Sequence, residues 1–355
     1  MPITKLNIEA FLQLATTCLV IDVRSPSEFT QAHIPHAINL PLFNDEERKI
    51  IGTTYKQESR QKAIKYGLKY FGVSMVSMVE TVEALLQIHK PNIADEHNKT
   101  ILLHCWRGGM RSAAVAWLLE LYGFKVYTLI GGYKAYRHWV LQQFTTNLNL
   151  KIIGGYTGSG KTKLLHYLQK NGATIIDLEA LANHKGSAFG GLGKSPQPTQ
   201  EMFENLLATK IDTIKKESSI VWIENESRRI GNLIIPETFF KTIQSKEIYF
   251  LNIPFEERLK HIIEEYGKFT TDNLINTILR IKKRLGGLET KNAINYLLEN
   301  NVEACFSILL MYYDKWYLKN YDATIYPQKN NITVNCSSIN DAINAQNLLN
   351  NVTTK

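Results

Sequence analysis

The octapeptide Gly155-Tyr156-Thr157-Gly158-Ser159-Gly160-Lys161-Thr162 constrains this chain more than any other stretch. It fits G-x-x-x-x-G-K-[ST]. The apolar run 150–154 before it reads as a strand, and residues 163–170 after it read as a helix. A glycine-containing turn between a buried strand and a helix aims successive backbone N–H groups at one point, where a phosphate sits. The N–H groups of residues 158–161 would wrap a diphosphate, with Gly155, Thr157, Gly158, Ser159 and Gly160 shaping the loop. Lys161 would neutralise the ligand, and Thr162 is placed to hold a Mg²⁺ if one binds; no other metal site is expected. The acidic partner that usually positions Mg²⁺ and water is less plain. The strand 219–224 ends in Glu224-Asn225-Glu226 where an Asp is expected. The pattern therefore supports diphosphate binding more firmly than nucleotide hydrolysis. Glu224 and Glu226 are either part of the site or solvated charges at a strand end.

A second strand–turn–helix unit lies upstream. Residues 100–104 form an apolar run that enters Cys105-Trp106-Arg107-Gly108-Gly109-Met110-Arg111-Ser112, and residues 113–122 read as a helix ending at Gly123. This order sets the sulfur above a helix N-terminus, inside a ring of N–H groups that attracts anions and favours the thiolate. Arg107 and Arg111 add positive charge. Cys105 is thus either a nucleophile toward an anionic group or a carrier of a negatively charged chalcogen. Cys18, Cys305 and Cys336 stand far apart without a CxxC pair, so neither a disulfide scaffold nor a structural zinc is expected.

The length of 355 residues exceeds the ~250–300 that a single core usually serves, so at least two domains are expected. The polar stretch 145–149 divides the chain into 1–145, which carries Cys105, and 146–355, which carries the phosphate loop and a mostly helical last third. Apolar residues at 44% and charged residues at 21% exclude disordered, collagenous and coiled-coil classes. No unbroken run of ~18 apolar residues is present, so a membrane-spanning helix is not expected. The N-terminal stretch carries Glu9 within its apolar part, unlike a secretion signal, which makes the cytoplasm the expected compartment. A net charge of +8 permits a polyanionic partner. The charge is not in a tail: residues 1–145 hold 16 basic and 12 acidic side chains, the remainder 25 and 21.

Within the second part, 175–179 reads as a strand with acidic residues, among them Glu179, at its C-terminal end, where ligands of open α/β sheets sit. The Gly-rich, basic segment 183–193, with His184, Lys185 and Ser187, reads as a mobile substrate loop. Arg228 and Arg229 offer another basic patch near the same edge. Arg280, Lys283 and Arg284 share a helix face, either for an RNA backbone or simply solvated. Tyr312, Tyr313, Trp316, Tyr317 and Tyr321 are at helical spacing and read as core.

Several of these residues also carry a family resemblance. Asp22-Val23-Arg24, Glu28-Phe29, the segment 33–39, His104-Cys105 with Arg111-Ser112, and Leu129-Ile130-Gly131-Gly132-Tyr133 resemble the signatures of rhodanese domains. In that family the cysteine becomes a persulfide held by the loop amides. The commonest pattern places Arg five residues after Cys, whereas Arg111 is six after Cys105. The resemblance therefore implies a wider cradle, suited to a larger atom or a phosphate-bearing donor. Asp22 and Arg24 read as ties that hold the loop.

The order C-W-R-G-G-M-R-S, G-x-T-G-S-G-K-T, D-L-E-x-L-A-x-H-x-G-S-x-F-G and W-I-E-x-E-S resembles the tRNA 2-selenouridine synthases along nearly the whole chain. That resemblance implies a rhodanese-like doubly wound α/β domain followed by a P-loop NTPase-like α/β domain with a mostly helical C-terminal part. It implies a transferase that replaces the sulfur of 2-thiouridine at the tRNA wobble position with selenium from selenophosphate, and that attaches a geranyl group from geranyl diphosphate. The expected partners are tRNA, selenophosphate or its synthase, and geranyl diphosphate, with no tightly bound cofactor and no membrane insertion. Cys105 would carry the selenium. Two other readings are an ATP-dependent tRNA sulfurtransferase and a rhodanese-like phosphatase with a nucleotide-binding module.

Overall fold

The computed structural model describes residues 3–89, 99–215, 220–320 and 331–353. Two compact units emerge: Met1–Gln143 with Glu204–Thr209, and Phe144–Phe203 with Lys210–Lys355.

The first contains β1 (Thr4–Leu6), α1 (Ile8–Ala15), β2 (Leu19–Asp22), α2 (Pro26–Gln31), β3 (Ile38–Asn39), α3 (Asp45–Gln57), α4 (Arg60–His89), β4 (Thr100–His104), α5 (Met110–Tyr122), β5 (Lys125–Leu129) and α6 (Gly132–Gln143). Its sheet runs β1-β5-β4-β2-β3, every pair parallel. β4 is buried along its whole length, as a central parallel strand covered on both faces must be, and this explains its unbroken Ile-Leu-Leu run. Cys105 follows directly at the sheet's C-terminal edge. Gly123 closes α5 in the left-handed region, φ 110°.

The helix α4 bears on one expectation. Its segment Arg60–Ile88 includes a window of mean hydropathy 1.3 with at most two charged residues, long and apolar enough to cross a membrane by length and composition. Serines, glycines and the two glutamates Glu80 and Glu83 interrupt the apolar run, so reading for an unbroken stretch misses it. One face, Phe71, Met78, Val82 and Leu86, packs into the core with β2 and β4. Only 28% of the window is buried.

The elements that follow are β6 (Leu150–Gly155), α7 (Lys161–Lys170), β7 (Thr174–Ile176), α8 (Leu178–Leu181), α9 (Gln200–Ile214), β8 (Val221–Glu224), β9 (Arg229–Ile230), β10 (Leu233–Ile234), α10 (Glu237–Gln244), β11 (Ile248–Asn252), α11 (Phe255–Tyr266), α12 (Thr271–Leu285), α13 (Gly287–Leu298), α14 (Val302–Asn320), β12 (Asn331–Asn335) and α15 (Asp341–Thr353). The second sheet runs β12-β11-β6-β8-β7, all parallel, with β6 at its centre. Leu164, Leu165 and Leu168 of α7 pack on it from one side. The four helices α11 to α14 close their own core around Tyr266, Ile278 and Phe306.

Two expectations shift here. Glu179 belongs not to a strand but to the first turn of α8. Asp177 ends β7 by accepting a hydrogen bond from Ala180 N at 2.8 Å, which caps the new helix. The loop 183–193 is folded rather than free-standing, because Phe189 is buried among the residues of α11 and α14. Ser219 and Tyr321 lie outside the described residues.

Candidate functional site

Two anion cradles stand at the C-terminal edges of the two sheets. The first is the turn from β4 to α5. Cys105 is 3% exposed. Burial alone would push its thiol up. The hydrogen bond with Ser112 Oγ at 3.3 Å, and the backbone N–H groups of Ser112, Arg107 and Gly109, outweigh this and hold the thiol below its ordinary value. The turn is seated from below by Tyr133 N, which donates to Cys105 O at 2.8 Å, and Lys134 N, which donates to Trp106 O at 3.0 Å. Two glycines interlock there. A Cβ on Gly132 (φ 59°) would come within 2.3 Å of Cys105 O, and one on Gly108 (φ 62°) within 2.4 Å of Leu129 O.

The two arginines differ. Arg107 is exposed at the mouth of the turn. Arg111 donates to both oxygens of Glu28, at 2.6 and 3.2 Å. It therefore meets the site as half of an ion pair that ties α5 to α2, not as a free cation. Glu28 and Ser112 were not singled out as site residues; both lie within the rhodanese-like signatures, where this pairing was the available signal. Behind the loop, Arg24 clasps Asp22 at 2.6 Å, donates to Ala32 O at 2.7 Å and stacks 3.8 Å over the Tyr133 ring. His104, 3.8 Å from Asp22, is driven by burial down to about 4 and is neutral at pH 7.

The second cradle is the turn from β6 to α7. Gly155, Thr157, Gly158, Ser159, Gly160, Lys161 and Thr162 all line one cavity of about 820 Å³. Lys161 Nζ rests on the carbonyls of Gly155 at 3.1 Å and Tyr156 at 3.4 Å, within the loop a phosphate would enter. Thr162 Oγ1 donates to Glu179 Oε2 at 3.2 Å. Glu179, Glu224 and Glu226 gather their carboxylates within 4.8 Å of one another. Glu224 is 1% exposed, and its Oε1 is buried without a hydrogen-bond partner. Burial, then mutual repulsion with Glu226, pushes Glu179 up to about 8; burial and its two acidic neighbours push Glu224 well up. Glu224 is thus no solvated strand end. An unpartnered buried oxygen among three carboxylates and a hydroxyl, beside a phosphate loop, fits a hard divalent ion such as Mg²⁺.

Of the other expected contacts, Lys185 and Ser187 line the cavity, and Lys185 is ion-paired with Glu265. Three do not reach it. His184 packs against Gly190 and Gly231, beneath the loop. Arg228 and Arg229 are exposed, and Arg228 pairs with Glu237 at 3.6 Å. Their sequence proximity to Glu224 misled, because the chain turns into the short β9–β10 ladder. Tyr312, Tyr313, Trp316 and Tyr317 wall the cavity, Tyr312 also packing against the helical core as expected, and Arg284 lies 5.9 Å over the Trp316 ring. Arg258 carried no sequence signal. It is buried, doubly bonded to Asp314 at 2.9 and 2.8 Å, and donates to Thr157 O at 3.1 Å, which fixes the phosphate loop to α11 and α14.

A cysteine turn on one parallel sheet and a phosphate loop on another define a rhodanese-like domain joined to a P-loop domain. Family profiles agree: the rhodanese-like domain matches residues 8–138, and the tRNA 2-selenouridine synthase AAA domain matches residues 148–346. The chain belongs to the tRNA 2-selenouridine synthase family. A protein of that name from Nitrosomonas europaea is 40% identical over 252 residues, 70% of this chain and 63% of the relative's length. Another from Hydrogenovibrio crunogenus is 39% identical over 289 residues, 76% of each chain. One from Psychromonas ingrahamii is 34% identical over 330 residues, 84% of this chain and 86% of the relative.

Proposed function

We propose that this chain modifies the wobble uridine of tRNA in two steps, geranylating the sulfur of 2-thiouridine and then exchanging it for selenium. The observation that carries the reading is the pairing of two different anion cradles in one chain of this family, one topped by a thiol held below its ordinary value and one by a lysine. The phosphate loop takes the diphosphate of geranyl diphosphate. Loop N–H groups and Lys161 stabilise the charge that grows on the leaving diphosphate. The nucleoside's sulfur forms a bond to the geranyl carbon as the carbon–oxygen bond to diphosphate breaks. Glu179, Glu224, Glu226 and Thr162 would hold a Mg²⁺, which neutralises charge on the diphosphate.

Alkylation turns sulfur into a better leaving group. In the second step Cys105 carries selenium. Its thiolate first forms a mixed disulfide with a small-molecule disulfide. The selenium of selenophosphate then bonds to the Cys105 sulfur as that S–S bond breaks and the small thiol leaves. Water cleaves the Se–P bond to release phosphate, leaving the selenium's charge facing the N–H groups of the turn. The selenium forms a bond to C2 of the base as the C2–S bond breaks, and the electron pair leaves on the geranyl thiol. A small thiol then attacks the Cys105 sulfur, the sulfur–selenium bond breaks, 2-selenouridine leaves with the electron pair, and the Cys105 mixed disulfide is restored for the next turnover.

Incubation of the protein with 2-thiouridine tRNA, geranyl diphosphate and selenophosphate, followed by nucleoside mass spectrometry, tests this reading. Cys105→Ala should still geranylate and make no selenouridine, while Lys161→Ala should lose geranylation. Native-rate selenouridine from Cys105→Ala would remove the role given to the thiol. RNA-stimulated ATP turnover abolished by Lys161→Ala would favour an ATP-dependent tRNA sulfurtransferase instead.

A further inference from the structure

The turn that holds Cys105 borders more than an anion cradle. A cavity of about 560 Å³ opens beside it, between α3, α4 and the start of α5, with Cys105 itself in the wall. That volume lies within the ~300–1,000 Å³ range of small-ligand sites. Much of its lining is apolar, including Leu42, Phe43, Ile51, Ala63, Phe71 and Ala114. The charged groups that border it, Arg48, Lys56, Arg107 and Arg111, include two already facing Glu28.

A chalcogen anion on Cys105 needs only the ring of N–H groups. It neither fills nor favours an apolar chamber of this size. A uracil ring alone suits it poorly too, since most of the lining is apolar and offers nothing to match the base's carbonyl and N–H groups away from Arg48, Tyr55, Lys56, Arg107 and Arg111. Water gains little in such a space. Apolar side chains also crowd the rim, where they are costly to expose: Leu68 is 62% and Met110 56% exposed, with Tyr55, Ile64 and Trp106 beside them.

We infer that this cavity seats the isoprenoid chain of S-geranyl-2-thiouridine and so brings the alkylated carbon–sulfur bond to Cys105. The inference rests on the two-step reading above and deepens it. The occupant is fixed by three features together: apolar walls, a volume suited to a short hydrocarbon chain, and a reactive sulfur in the wall. The chamber selects the alkylated nucleoside over plain 2-thiouridine, and it holds the chain of the departing thiol while selenium takes its place.

The test uses the full chain and preformed anticodon stem-loop RNAs carrying 2-thiouridine, S-methyl-2-thiouridine or S-geranyl-2-thiouridine. Burial of a chain should tighten binding by about threefold to fourfold per methylene, before losses. The geranylated RNA should therefore bind at least about tenfold tighter than the S-methyl RNA. Leu68→Gln and Ile64→Gln, neutral substitutions at exposed rim positions, should erase most of that preference, lowering geranylated RNA affinity severalfold more than S-methyl RNA affinity. Circular dichroism confirms that the variants fold. Absence of chain-length preference in the unaltered protein, or its survival in both variants, overturns the inference. Because the geranylated RNA is supplied, the two readings fail separately. Chain-length preference without selenouridine formation sinks the two-step reading and leaves the chamber standing. Selenouridine formation with an unchanged KM for geranylated RNA in both variants does the reverse.

Discussion

The thiol of Cys105 sits under two opposing pressures, burial that favours SH and converging N–H and O–H groups that favour S⁻, and the second prevails. A lowered value means that the thiolate persists as pH falls and is lost only below the ordinary thiol range of about 8.5. Iodoacetamide alkylation of Cys105, followed by peptide mass spectrometry, should therefore show a rate midpoint below that range. Ser112→Ala should move the midpoint upward, whereas a midpoint at or above the ordinary range in the unaltered protein contradicts the cradle. Cys105 and Lys161 were legible in the sequence because each chemistry is written in eight contiguous residues. Glu28 was harder, since its bond to Arg111 spans 83 positions. Arg258 was illegible. Its partners Thr157 and Asp314 lie 101 and 56 residues away, and no local pattern encodes them.

Helices supply what the loops cannot. α11 and α14 bracket the phosphate loop through Arg258 and Asp314, and α14 turns its aromatic side chains toward the cavity. The spacing of Tyr312, Tyr313, Trp316 and Tyr317 correctly marks a helix face, but periodicity cannot tell a buried face from one that lines a cavity. Arg258→Ala leaves the Asp314 carboxylate and the carbonyls of Thr157 and Ile253 without their shared donor inside the fold. Breaking one partner of such a buried pair costs about 3–5 kcal/mol. The urea midpoint should drop accordingly, and geranyl diphosphate affinity, read by calorimetry, should fall more than in the conservative Arg258→Lys. A variant with native affinity would mean that the loop holds its shape unaided. No local motif in α3 or α4 marks a site, because the chamber they form beside Cys105 depends on side chains up to 72 positions apart, from Leu42 to Ala114.

Across the whole molecule, the two parallel sheets follow the alternation of apolar runs and amphipathic stretches, which is why the α/β class was readable. The net charge of +8 is spread through both parts of the chain. RNA affinity should accordingly depend on many separate phosphate contacts. The logarithm of the association constant should fall linearly with the logarithm of salt concentration, by about 0.7–0.9 for each phosphate neutralised. Filter binding of tRNA between low and moderate salt measures this slope. A flat line would point to recognition through bases and hydrocarbon alone.

The interlocked pair Gly108 and Gly132 has a practical consequence for anyone who wishes to redirect this turn toward another chalcogen or donor. Either position filled by alanine would drive a methyl carbon into a peptide oxygen. Gly109 has open space beside its backbone, and Arg107 faces outward. Laboratory evolution of selectivity should accumulate its changes at 107 and 109 and return none at 108 or 132.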